Sequence, residues 1–497
     1  MPVRTAMKDF FHPPTRSSEP ARHRPARWIV FFLLIAIPSV CLWTNQRTGS
    51  AWKRYRAELA IRGESLDWKD YLPSSMPPDE ENFGATPVLQ AIGCRGKVNA
   101  LIWERFTGVG VYGELGSIGD WTRGQRTDLE SVQAALGRAG LLRQDQPGTP
   151  GTDVLAALDA LRPEFDELRE ASKRPQARLK LNHPDPASAD TPNFVALRTL
   201  TQMFSLCAGA ELSLNKTNEA FADIRVIQRL ADLTRQEPSL VAVMMYCAIH
   251  QMALQAFWEG WVSGQWSDAQ LEKFQREFAA VNMLAAFDWG MRGERAGVNT
   301  LLETLDGPQL SQIWQNTVPG DNGWKHKIGT AVVRFSPPGL RSENLLNYDR
   351  LLDATCFIAY DLRQLQIFPS KCDAGLLLME KSFSRSTAQN HLAAIALPNF
   401  TRALQTVARN QTFVNLARIV CGLERYRRAN GEYPVALEQL LPRHLDQLPL
   451  DLISGGKLKY RQSAEGRFTL YSIGWNEKDD GGDPDKNDWV WPVKAIL

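Results

Sequence analysis

Residues 194–233 read FVALRTLTQMFSLCAGAELSLNKTNEAFADIRVIQRLADL, and this stretch decides the fold class. In its first half Leu197, Leu200, Met203, Phe204, Cys207 and Leu212 recur mostly at steps of three and four, the spacing that puts side chains on one face of a helix. Asn215-Lys-Thr-Asn218 interrupts the pattern with turn-forming residues. Ala220, Ile224, Ile227, Leu230 and Leu233 then define a second apolar face over Glu219–Arg235. Two amphipathic helices joined by so short a turn must lie side by side and antiparallel.

The same reading extends on both sides. Pro238 opens a third helix that ends near Gly260 or Gly264, and Ser267-x-x-Gln270 is a capping-box start for a fourth. Helix resumes over Glu343–Gln366 and Ala374–Ile395. Upstream, residues 51–63 are amphipathic. Proline-rich breaks lie at Tyr71–Asp79, 145–152 and 182–192. Residues 306–340 are rich in Gly and Pro, show no helical period and read as a long loop or a small inserted element. The run Ala208–Leu233 resembles one tetratricopeptide-like hairpin, but no second copy follows at the ~34-residue spacing of an array. The expected body is an α-helical bundle or irregular solenoid.

At the N-terminal end, Trp28–Trp43 reads WIVFFLLIAIPSVCLW, without a charge. Sixteen helical residues span about 24 Å, against a hydrocarbon layer of ~30 Å. Thr44 extends the run, Arg27 can snorkel, and Trp28 and Trp43 suit the two interfaces. No small-x-small cleavage site follows, so residues 28–44 read as an uncleaved transmembrane helix rather than a signal peptide. Arg4, Lys8, Arg16, Arg22, Arg24 and Arg27 precede it, and Arg47, Lys53, Arg54 and Arg56 follow. That bias places the tail, 1–27, in the cytoplasm and the bulk outside it, on the periplasmic side of an inner membrane.

Lysine and arginine total 57 against 55 acidic residues, a net charge of +2, and no basic excess points to nucleic acid. The seven cysteines form no CxxC and no zinc spacing with histidine. In an oxidising compartment Cys356 and Cys372 are the pair that could bridge. Catalytic signatures are thin. Gly108-Val-Gly-Val-Tyr-Gly113 has the dinucleotide spacing but lacks the flanking strand and helix, and reads as a flexible loop. Gly93-Cys-Arg-Gly96-Lys97-Val98 lacks the first glycine and the Ser/Thr of a phosphate loop. His250 and the Glu294 of Arg292-Gly-Glu-Arg295 are the best-placed acid–base pair. The blander reading is a core histidine and a surface ion pair.

The last hundred residues carry a different pattern. Phe413–Ala429 is an amphipathic helix ended by Asn430-Gly431. Val435–Leu441 is a short helix, and Lys457–Tyr460 and Phe468–Ile473 are strands joined through Ala464-Glu-Gly466. Six acidic residues follow within 476–488. Their mutual repulsion needs either solvent or a bound cation, and calcium suits an irregular loop of carboxylates and carbonyls. Asp483-x-Asp485-x-Asn487 mimics the start of an EF-hand loop, but Asp488 stands where glycine is needed and Lys494 where the bidentate glutamate belongs.

Leu423-Glu-Arg-Tyr-Arg427, Asn430-Gly-Glu-Tyr-Pro434, Leu448-Pro-Leu-Asp451, Tyr460 and Leu470-Tyr-Ser-Ile-Gly474, followed by the acidic Gly-Gly loop and Trp489, resemble the globular domain of the major pseudopilin of type II secretion. The resemblance covers about 415–491. It implies an α+β head whose loop binds calcium, with Asp479, Asp480, Asp483, Asp485 and Asp488 as the positions that would hold the ion. The chain departs from that family in placing its membrane helix ~370 residues upstream, and Leu452 stands where the family has proline. The whole layout, with Glu80-Glu-Asn-Phe83, Arg292-Gly-Glu-Arg295 and Tyr471-Ser-Ile-Gly-Trp-Asn476, is similar to membrane-anchored proteins of Planctomycetes and Verrucomicrobia, a resemblance that implies layout but no activity.

The expectation is a mainly α protein. It comprises a tail (1–27), a transmembrane helix (28–44), an extracytoplasmic helical region (45–400) and a pseudopilin-like α+β domain (401–497). Its expected role is a scaffold or binding protein with a protein or peptide partner and no catalytic motif. The alternatives are an envelope hydrolase using the helical cleft and an accessory part of a secretion or pilus-like machine.

Overall fold

The computed structural model describes residues 24–72, 75–108, 119–142, 148–183, 185, 186, 188–317, 324–335, 338–383, 400–463 and 466–494. The basic tail before Arg24, most of the glycine-rich segment after Gly108 and the side chains of the apolar run as far as Cys41, Ser39 excepted, lie outside the described residues. The chain is mainly helical, with a small sheet near its C-terminal end.

The helices of the deciding stretch form where their pattern and caps place them. α7 (Phe194–Ser213) starts where the Asn193 side chain accepts the Ala196 N–H. α8 (Thr217–Arg235) follows a turn in which Asn215 takes φ +58°. α9 (Leu240–Val262) is capped by Ser239, and α10 (Asp268–Ala279) carries the full Ser267/Gln270 capping box. α8 packs against both α7 and α9, and α7 and α9 also pack against each other. Among residues with described side chains, α9 is the one helix long and apolar enough to cross a membrane, and 67% of its most apolar window is buried. Its apolar character belongs to the centre of the body, where neighbours cover it from several sides.

Before these helices the chain forms α1 (Arg24–Ile61), α2 (Pro87–Ile92), α3 (Ala100–Gly108), α4 (Leu129–Arg138), α5 (Pro150–Leu158) and α6 (Arg162–Ala171). The 145–152 break is shorter than expected, because Pro150 occupies the first turn of α5 and Thr149 caps it. After α10 come α11 (Met283–Thr304), α12 (Gly307–Thr317), α13 (Trp324–Arg334), α14 (Pro338–Thr355), α15 (Pro369–Phe383) and α16 (Phe400–Asn430).

The expected loop over 306–340 is instead largely the α12–α13 hairpin. Its Gly and Pro punctuate helix starts rather than break helices: Gly307-Pro308 opens α12, and Pro338-Gly339 opens α14. Averaged over 35 residues, that punctuation conceals two eleven-residue helices. α14 also stops at Thr355, short of the expected Gln366. A 3₁₀ turn and a two-stranded hairpin follow, β1 (Tyr360–Asp361) with β2 (Gln366–Ile367), in which Leu365 takes φ +51°.

One hydrophobic core runs from Phe83 to Trp491. α16 lies in it, packed on α9, α10 and α11, with Leu404, Val407, Phe413, Val414, Leu416, Val420 and Leu423 buried. Gln411 is buried too, and its Oε1 accepts the Met283 N–H at 2.7 Å. The sheet beyond α16 has the antiparallel order β3 (Lys459–Gln462), β4 (Phe468–Ser472), β5 (Trp489–Val490), and β5 was not anticipated. Tryptophans seat this sheet on α9. Trp491 lies 5.0 Å from Trp121 and 5.8 Å from Trp261, ring to ring, and Trp258 Nε1 donates to the Pro492 carbonyl at 2.8 Å. A second, smaller core joins Trp52, Tyr55 and Leu59 of α1 to Leu302, Leu310, Val333, Leu345 and Leu346.

Candidate functional site

His250 sits at the base of a cavity of about 410 Å³. Arg225, Gln228, Arg229, Asp232 and Arg235, which share one face of α8, line it. Tyr246 and His250, one turn apart on α9, form the floor, the Ser172–Pro175 segment forms one wall, and Glu277 closes the α10 side. His250 is 3% exposed, and neither ring nitrogen has a hydrogen-bond partner. The Tyr246 ring meets it edge-on at 4.6 Å. Burial, and then the charge of Arg235, pushes its pKa down to about 3, so the ring is neutral at physiological pH. Of the cations, Arg225 pairs with Glu277 at 3.1 Å and Arg229 with Asp232 at 2.5 Å.

Glu294 is elsewhere. It lines a separate cavity with Trp68, His183 and Pro238, and its Oε1 accepts the Leu240 N–H at 2.9 Å, at the start of α9. Burial raises its pKa and that N–H opposes the rise. No acid–base pair forms with His250.

The rest of the Arg292–Arg295 motif is structural. Gly293 faces Pro238, whose Cβ would stand 2.3 Å from any added Cβ. Arg292 binds Glu64 at 2.5 Å and Asp288 at 2.9 Å. Arg295, 1% exposed, reaches Glu64 at 2.7 Å, Asp353 at 2.8 Å and the fully buried Asp349 at 3.5 Å. Burial raises Asp349 to about 7 against the pull of Arg295. This network ties α11 and α14 to the residues just after α1. The Glu80–Phe83 motif is likewise a staple: Asn82 exchanges hydrogen bonds with both backbone groups of Arg178, at 2.8 and 3.0 Å.

Sequence reasoning missed a cluster between α6, α7 and α8. Arg169 holds the fully buried Asp223 through two bonds, 2.6 and 3.0 Å, and lies 3.7 Å from Glu211. Burial, then the Asp223 charge, lifts the Glu211 carboxyl well above its usual range, whereas Arg169 restrains Asp223. The proton of the pair therefore resides on Glu211. With Asp223 sealed beneath Arg169, the cluster fastens three helices together. The available signal was an acid on each apolar face, Glu211 in AELSL and Asp223 in FADI.

The acidic loop is held by its own donors. Asp479 accepts from Tyr471 Oη at 3.0 Å and from Gly481 N at 3.1 Å, and pairs with Lys459 at 3.2 Å. Asp480 accepts from Asn476 at 2.9 Å, and Asp483 accepts from Asp485 N at 3.0 Å and pairs with Lys486 at 3.4 Å. Asp488, 3% exposed, accepts the Gly482 N–H at 2.7 Å, while Asp485 stays exposed. The five carboxylates thus do not converge, and among the described residues no three Asp, Glu, His or Cys side chains gather as a metal site. The loop does not fit the calcium cradle that the pseudopilin resemblance implies. The six described cysteines, Cys356 and Cys372 included, are free and buried.

No family model matches the chain, and neither does any curated protein or solved structure.

Proposed function

We propose that the chain is a single-span, membrane-anchored binding protein or scaffold whose helical body stands outside the cytoplasm and takes a protein or peptide partner. The observation that carries this is α1, one unbroken helix of 38 residues leading from the apolar 28–44 run straight into the body. Its body end is fixed rather than hinged. Asn45 and Thr48 hydrogen-bond Gly339 at the start of α14, Tyr55 Oη donates to Asp353 at 2.7 Å, and Trp52 Nε1 donates to Glu303 at 3.0 Å. A span continued so rigidly holds the body at a set attitude to the bilayer, which suits presentation of a binding surface.

Binding is favoured over hydrolysis because neither ring nitrogen of His250 is hydrogen-bonded, so neither Asp232 nor Glu277 in the same cavity orients its ring. The C-terminal part of α16, the 3₁₀ turn at Leu437–Leu440 and the three-stranded sheet are the region that the pseudopilin resemblance covers, and we read them as a second contact surface on the same helical bundle.

Alkaline carbonate extraction tests the anchor. The full chain is expected to stay with the membrane pellet, and a chain beginning at Thr48 to be released. Release of the full chain would overturn the reading.

A further inference from the structure

The cavity over His250 has a specific chemical bias. Five cations line it (Lys173, Arg174, Arg225, Arg229 and Arg235) against two carboxylates, Asp232 and Glu277. Internal pairing does not consume this excess. Arg225 and Arg229 each use one carboxylate, Arg174 donates to the Asp79 and Asn82 carbonyls, and Lys173 pairs outward with Glu170. Arg235 is exposed at the rim.

Below the rim, buried polar atoms lack partners: both ring nitrogens of His250, Gln228 Nε2, Arg229 Nε and Glu277 Oε2. Gln228 Nε2 and Arg229 Nε can only donate, and the neutral imidazole supplies one further N–H. His250 and Gln228 are 3% and 9% exposed, so bulk water does not serve these atoms freely. A buried donor without an acceptor is costly, and a cavity that gathers several of them under surplus positive charge is complementary to a ligand carrying oxygen acceptors.

We propose that this cavity binds a small, multiply charged oxyanion, a polycarboxylate or a phosphate ester, with one anionic group in contact with Gln228, Arg229 and His250 and a second held by Arg225 and Arg235. A volume near 410 Å³ suits a molecule of that size and is too small for a folded partner. The neutral imidazole contributes a hydrogen bond rather than charge, so the arginines supply the attraction and the floor supplies the orientation. The inference rests on reading the body as a binding protein, but not on its anchoring or on the head.

The test is calorimetric titration of the full chain in detergent micelles at low ionic strength with two probes, inorganic pyrophosphate and citrate. At least one probe is expected to bind, with affinity falling as salt rises. Arg235→Ser, which removes a rim charge without breaking an ion pair, and Gln228→Leu, which removes a buried donor, should each weaken it by roughly tenfold or more. Arg363→Ala, on the distant β1–β2 turn, should leave it unchanged. Binding of pyrophosphate alone assigns a phosphate ligand, and binding of citrate alone a polycarboxylate. If neither probe binds, or if Arg235→Ser and Gln228→Leu bind like the parent chain, the proposal is overturned. Carbonate extraction of the same variants separates this failure from failure of the anchor.

Discussion

Glu211 shows how far a single side chain can depart from its appearance in the sequence. In AELSL it is an acid on the apolar face of its helix, and it is 5% exposed and lies beside Asp223. Its folded pKa is raised, so the folded chain holds a proton that the unfolded chain releases near 4.5. The stability contributed by that proton is complete below 4.5 and is lost as pH rises toward the folded value. Glu211→Gln keeps a donor for Asp223 and cannot ionise. Its melting temperature should match that of the parent near pH 4 and exceed it by roughly 2–4 °C near pH 8, the shift that about 1 kcal/mol gives a domain of this class. A gap that is constant with pH, or reversed, would contradict the assignment. Asp349 and Arg295 make the same point. Nothing in Asn347-Tyr-Asp349-Arg announces that the acid lies at the end of a buried arginine fork from a helix some fifty residues earlier. His250 was legible as a buried imidazole because the helix around it is otherwise mostly apolar, with Cys247, Ala248 and Ile249 before it and Met252 after. Its arginine surroundings were not, since they come mostly from a different helix.

Elements whose caps and periodicity agree were readable, and those defined by distant pairing were not. Ser267 and Gln270 specify the start of α10 locally, and Asn430-Gly431 ends α16 with a glycine at φ +87°. β5 is two residues long and exists only because Tyr471 and Ser472 offer an open edge. The β1–β2 hairpin depends similarly on Ile367 N donating to the Leu452 carbonyl, a contact no local pattern encodes. The acidic loop gave the most instructive difference. Its carboxylates looked like metal ligands in sequence, yet Gly481, Gly482, Asp485, Tyr471, Lys459 and Lys486 supply the positive partners. Two of the donors are glycines at φ +78° and +82°, a conformation that turns their N–H groups toward the acids. Thermal melts in millimolar calcium and in chelator should therefore coincide within about 1 °C. An ion bound only by the folded chain at a hundredfold excess over Kd would instead add ~2.7 kcal/mol. A chelator-sensitive shift abolished by Asp483→Ala/Asp485→Ala would restore the calcium reading.

At the scale of the whole molecule, a rigid helix leads from an apolar segment into one helical body, and the C-terminal sheet is built onto that body rather than hung from it. Mainly helical class was legible from 194–233 alone, because an apolar face at helical spacing admits few alternatives. The integration of the C-terminal residues was not legible, since it rests on Trp121, Trp258, Trp261 and Trp491 meeting across more than two hundred residues of chain. In the proposed topology the N-terminal tail and this body lie on opposite sides of a membrane. The described native cysteines are buried, so engineered ones can report it with little background. The measurement is labelling of Lys8→Cys and Arg363→Cys with a membrane-impermeant maleimide, in cells with only the outer membrane permeabilised and again after lysis. With this topology residue 363 labels before lysis and residue 8 only after it. Labelling of residue 8 first, or of both positions only after lysis, would contradict it.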